Sequence, residues 1–137
     1  MRSRTRSTAL GAVLAVSVPG MAWAPAHARP LSVAGTAGYL SEWQISARLS
    51  PDGPERAGAL SGPVTLRHTG LCAVSGPAEK SGDMRVRLSG WGPFAQVDVD
   101  LSFAGARCVY RGRFSETLKG VMDCSDAKGV PVELVIR

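Results

Sequence analysis

The chain has 137 residues, 45% of them hydrophobic and 20% charged, and a formal charge of +5. That length builds one core and is too short for two domains. Arg2, Arg4 and Arg6 fall in a leader-like segment, and without it thirteen basic residues face eleven acidic ones. The concentrated basic face of a nucleic-acid binder is then missing, so nucleic acid is not an expected partner.

Residues 1–28 read as a secretory signal peptide. The three arginines form a basic start, Ala9 to Val18 an apolar run, and Pro19-Gly20 a break before the small residues Met21 to Ala28. The run is shorter than the roughly 20 residues that a bilayer span needs. Two Ala-x-Ala sites compete. Cutting after Ala24 would leave Pro25 next to the scissile bond, whereas cutting after Ala28 leaves Arg29 as the new terminus, and the second is preferred. A periplasmic or secreted location is expected, with no membrane span in the mature chain. Residues 29–38 are small and mostly uncharged and read as a flexible N-terminal segment, with a single all-β domain over 39–137.

From Trp43 onward almost every segment alternates with period two, the signature of half-buried strands. Trp43, Ile45, Ala47 and Leu49 share one face, then Leu60, Val64 and Leu66, then Cys72 and Val74. Met84, Val86 and Leu88 follow, then Val97, Val99, Leu101 and Phe103, then Cys108, Tyr110 and Phe114. Leu118, Met122 and Cys124 come next, and Val130, Val132, Leu134 and Ile136 complete eight strands. Pro51-Asp52-Gly53-Pro54, Ser75-Gly76-Pro77, Ser81-Gly82-Asp83, Gly90-Trp91-Gly92-Pro93, Ala104-Gly105 and Lys128-Gly129 suit bends. Short connections favour antiparallel pairing. The expected fold is a small antiparallel up-and-down barrel of about eight strands, which also removes exposed edges, with a β-sandwich as the alternative.

Two hairpins fix a register. A two-residue loop at Ala104-Gly105 pairs Leu101 with Cys108 and Asp98 with Arg111. A turn around Glu116 then sets Tyr110 opposite Met122 and Cys108 opposite Cys124, with Gly112 facing Gly120. A Cys108–Cys124 disulfide is expected in an oxidising compartment, the alternative being Cys72–Cys108. No Cys-x-x-Cys is present and His68 is far from a ligand spacing, so neither a metal nor another cofactor is expected.

Catalytic chemistry has little to stand on. His68 is the only imidazole left in the mature chain and has no identifiable triad partner, which leaves a His68 hydrolase as a remote reading. Asp98 and Asp100 lie two apart on one outward strand face and read as solvated charges opposite arginines. Arg107, Arg111 and Arg113 share an outer face, Arg85 and Arg87 lie on another, and together they could hold an anionic partner. Trp91, between two glycines in a loop, has the form of a contact anchor or of a barrel-end plug.

Tyr39-Leu40-Ser41-Glu42-Trp43, opening the first alternating strand, resembles the start of calycin-type barrels. These include lipocalins and the small bacterial periplasmic metalloprotease inhibitors. The resemblance implies that Trp43 plugs one barrel end and that Arg137 packs over it. It also implies one of two activities: carriage of an apolar ligand inside the barrel, or protease inhibition by the segment Arg29 to Gly38. The expected function is therefore non-catalytic binding or inhibition by a monomer whose partner is an unknown protein or envelope component. The other reading is a structural or envelope-associated module using the arginine face.

Overall fold

The alternation from Trp43 onward is realised in the computed structural model, which describes residues 30–53, 58–70 and 78–137. Its strands are β1 (Leu31–Ala37), β2 (Trp43–Pro51), β3 (Ala59–His68), β4 (Glu79–Ser89), β5 (Gln96–Phe103), β6 (Ala106–Arg113), β7 (Thr117–Cys124) and β8 (Val130–Ile136). Each pairs antiparallel with the next, and β1 pairs with β8, so the sheet closes into an up-and-down barrel. The signal-peptide reading of residues 1–28 lies outside the described residues, as do Cys72 and Val74.

One part of the expected order is corrected. The segment assigned to a flexible N-terminus is β1, hydrogen-bonded on both sides: Gly35 stands opposite Ile45 of β2 and opposite Leu134 of β8. Its inward residues Leu31, Val33, Gly35 and Ala37 are small or medium in size, which weakens the apolar signal without breaking the alternation. β3 pairs directly with β4, from Ala59–Arg87 to Arg67–Glu79, so the ring has no rung between them.

The inward residues of all eight strands form one cluster. Ile45, Leu49, Val64, Met84, Val86, Val97, Val99, Leu101, Leu118 and Leu134 are almost wholly withdrawn from water. Burying such a side chain contributes about 1.5–3 kcal/mol. Among the described residues no polar or charged side chain is buried with them. An eight-stranded barrel is about wide enough to be filled by its own side chains, and here the aliphatic residues fill it.

The expected bend at Ser81-Gly82-Asp83 is also corrected, because β4 runs straight through it. Gly82 acts there by close approach. A Cβ at Gly82 would lie 2.0 Å from the carbonyl oxygen of Ser102 and 2.8 Å from the Cβ of Phe103. The missing side chain lets β4 press against the β5 backbone. The Ala104-Gly105 hairpin does form as a two-residue turn, with positive φ at both residues (47° and 78°), as the hand of a tight hairpin requires.

Between β6 and β7 the ladder is short. It registers at Cys108–Cys124, Val109–Asp123 and Tyr110–Met122, where the hairpin reading placed it. The Cys108–Cys124 disulfide crosses this seam. Beyond it the Tyr110 ring lies over Gly112, where a Cβ would collide with it, and Gly120, where a Cβ would be in tight contact with it at 3.0 Å. The Tyr110 hydroxyl donates to the Lys119 carbonyl at 3.4 Å. One aromatic side chain thus covers the stretch that two glycines leave open.

The disulfide encloses a segment with a sequence separation of 16. Replacing Cys108 and Cys124 together by Ala is expected to lower stability by about 3 kcal/mol, read as a shift of the urea unfolding midpoint at constant slope. Gly82→Ala, which adds one methyl group against backbone, should cost about 2 kcal/mol in the same measurement, and Gly105→Ala, which meets open space but must hold a positive φ, should cost about 1 kcal/mol from backbone strain alone.

Candidate functional site

The barrel offers three surfaces that sequence reasoning singled out, and the register settles what each contains. β5 lies between β4 and β6, so the two arginine groups fall on one outer face with Asp98 and Asp100 running down its middle. Asp100 accepts from Arg87 on one side and from Arg107 on the other, both at 2.8 Å. Arg111 reaches Asp98 at 3.4 Å, the pair that the hairpin register predicted. Arg85 reaches Asp52 at 3.4 Å, and Asp52 also accepts from the Ser61 hydroxyl at 2.6 Å. Arg113 alone of the five has no ion-pair partner among the described residues, and it stands opposite Gln96.

These pairs make the face a cross-strand lattice of alternating charge. Partial burial opposes ionisation of Asp100, but the hydrogen bonds and charges of Arg107 and Arg87 outweigh it and hold its carboxyl below the ordinary range. Arg85, Arg87, Arg107 and Arg111 are therefore each paired with an acid of the barrel while their side chains stay largely exposed. A groove between β3, β4, β5 and β6, lined by Ser61, Asp83, Arg85, Arg87, Asp100 and Arg107, carries acids and bases together.

A second constellation occupies the end of the barrel where β2 begins and β3 ends. Trp43 is half-buried on the core, opposite His68 in register, with the two rings edge to face at 4.9 Å. The Lys80 ammonium sits 4.9 Å from the Trp43 ring and 5.8 Å from that of Phe103, within cation–π range. Glu42, the acid nearest this group in sequence, turns its carboxylate to the backbone N–H of Leu40 at 2.9 Å. Its own N–H and that of Leu40 hold this carboxyl below its usual range. His68 therefore packs edge to face on Trp43, and its charge adds a smaller pull to the same lowering of the Glu42 carboxyl, whose hydrogen bonds go to backbone N–H groups.

The pairing of Trp43 with Arg137 is not made. Trp43 opens β2 beside Ala37, at the end where β1 finishes. Arg137 follows β8 and exchanges backbone hydrogen bonds with Ser32, at the end where β1 starts. Seven strands rather than eight run from Trp43 to Arg137, because β3 pairs directly with β4, and the odd count puts the two residues at opposite ends of the barrel.

The third surface lies at the Arg137 end. Trp91 is 91% exposed, Phe94 79% and Phe114 45%, with Leu88 beside them. The loop that carries Trp91 is fixed by its backbone. A 3-10 turn spans Gly92–Phe94, Ala95 N–H donates to Gly92 O at 3.2 Å, and Phe114 N–H donates to Ala95 O at 2.9 Å. Gly90, Trp91 and Gly92 border a shallow apolar hollow with Gly58, Leu88, Ala95 and Phe114. Trp91 thus stands in water and does not fold over the barrel end as a plug. Sequence reading missed Phe94, and it placed Phe114 and Leu88 inside because the alternation does not say where the core ends. The run Gly90-Trp91-Gly92-Pro93-Phe94 was the available signal: Pro93 opens a turn that cannot turn Phe94 back into the sheet.

No known family, curated protein or solved structure was found to match this chain.

Because the folded-state pKa of Asp100 is depressed, its contribution is present above the ordinary aspartate value of 3.8 and is lost as pH falls below it. Asp100→Asn is expected to cost about 1 kcal/mol at neutral pH and to flatten the fall in stability below that value. Urea titrations of both proteins across the acid range check the sign.

Proposed function

We propose that this chain is an exported, non-catalytic binding protein that works from the outside of its barrel. The observation that carries the reading is the pairing of a filled interior with a backbone-fixed aromatic cluster at one end. Side chains from every strand, aliphatic on most and Cys108 and Tyr110 on β6, occupy the space that a carried ligand would need. Trp91 and Phe94 stand in water on a loop whose hydrogen bonds keep them there. Folding gains nothing from that exposure, and large rigid aromatics with few rotamers are the usual anchors of a contact surface.

This reading keeps binding and drops two of its expected routes. An inhibitory N-terminal arm would have to come from residues 29–38, but β1 is needed to close the ring. A calycin-like carrier would need an open interior. The arginine face as an envelope-binding surface is the second reading, and Arg113, unpaired at the rim nearest Phe114, is the observation that favours it. A disulfide in the fold accords with the oxidising location that export would give.

Immobilised protein, exposed to a detergent extract of the envelope fraction of its own source, tests which surface is used. The W91A/F94A double variant is expected to lose at least about tenfold of the retained material. The R85A/R87A variant should retain it, since those guanidinium groups are engaged with Asp52 and Asp100. Equal retention by wild type and W91A/F94A would refute the aromatic end as the binding surface.

A further inference from the structure

We infer that the Arg137 end of the barrel docks, without spanning, on an anionic phospholipid surface, with Trp91 and Phe94 entering the headgroup layer and Arg113 lying over the phosphates. The inference rests on the reading of this end as the binding end and names what it binds.

Three observations point to lipid. The first is shape. Trp91 and Phe94 project from the tip of the β4–β5 connection and are the most exposed aromatic side chains described. The hollow beside them is shallow and apolar. A protruding pair can enter a soft phase without a preformed counterpart.

The second is polarity. From Gly90 to Ala95 the only side-chain group able to hydrogen-bond is the Trp91 indole N–H. Protein interfaces surround their anchors with a rim of hydrogen bonds. This loop has no polar side chains to make one and no charge to desolvate. Tryptophan, apolar in body with a single donor at its edge, partitions to the level of lipid headgroups.

The third is charge. Arg113 immediately precedes Phe114 and stands opposite Gln96, two residues from Phe94. It is the arginine of the outer face that the sheet does not neutralise. Arg111, next outward along β6, is held only at 3.4 Å by a half-exposed Asp98. A cation directly behind an aromatic tip is the arrangement that anionic headgroups attract, with a strength that salt reduces. The outer wall over β4, β5 and β6 carries arginines and aspartates rather than a lipid-facing apolar band, so the contact is peripheral.

Cosedimentation with phosphatidylcholine vesicles, with and without phosphatidylglycerol, tests this on the purified protein. Binding to the mixed vesicles is expected, with a blue shift of tryptophan emission. W91A/F94A should weaken it by about tenfold or more. R113A should weaken it several-fold at low salt and little at high salt. All the substituted side chains are exposed, and an unchanged urea midpoint would confirm that each variant is folded. Three results would overturn the inference: no cosedimentation with the mixed vesicles, binding unaffected by W91A/F94A, or a dimer by sedimentation equilibrium in which Trp91 emission is already shifted. If vesicles fail but envelope protein is still retained on beads in a Trp91-dependent way, the lipid surface falls and the binding end stands. If both fail, both fall.

Discussion

Closure of the sheet is the constraint that orders the rest of this molecule. A sheet of eight strands with one apolar face has two ways to hide that face: pack on a second layer or curl onto itself. The chain takes the second course, and β1 makes it possible by hydrogen-bonding to β2 and β8 at once. Once the ring is closed, the inward positions have a fixed volume, and mid-sized aliphatic residues fill it. A filled ring leaves only the outer wall and the two ends for function. Its up-and-down order sends alternate connections to alternate ends, which is why Trp91 and Phe114, twenty-three positions apart in sequence, come together.

Closure makes demands on the backbone that are met in different ways around the wall. Between β4 and β5 a glycine permits near contact of the chains. Between β6 and β7 the strands pair over a short stretch, a covalent bond holds that stretch, and the Tyr110 ring covers the remainder. The arginine–aspartate lattice on β4, β5 and β6 ties three strands together from outside, with Asp100 as its common acceptor. Each exposed ion pair contributes little alone, but geometric sharing of one carboxylate fixes the relative register of its neighbours.

Legibility followed side-chain size. Where inward residues were large, as in Val97, Val99, Leu101 and Phe103, alternation and turn chemistry were enough to give pairing to the residue, including Asp98 opposite Arg111 and Cys108 opposite Cys124. Where they were small, the signal failed: Gly35 and Ala37 carry too little hydrophobic contrast to mark a strand, although their neighbours bury them fully or partly. Glycine misled in the same direction at Gly82, because a residue that suits a turn also suits a close approach between strands. The candidate site was half legible. Trp91 could be picked out by its flanking glycines, whereas its company of Phe94, Leu88 and Phe114 depends on which ends of which strands meet, and that is a property of the ring.

The two seams of the barrel differ in a way that bears on how the chain fails as well as how it folds. Seven of the ladders join strands that are neighbours in sequence, and each can form as a local hairpin. The eighth, β1 with β8, joins residues about a hundred positions apart and carries the loop-closure entropy of nearly the whole domain. The disulfide lies on the other seam and gives this one no protection. Whenever the β1–β8 ladder opens, the barrel becomes an open sheet with two unpaired edges, each a template for a strand from another molecule. The most exposed route to aggregation thus runs through β1, the segment whose sequence carries the weakest sign of being a strand.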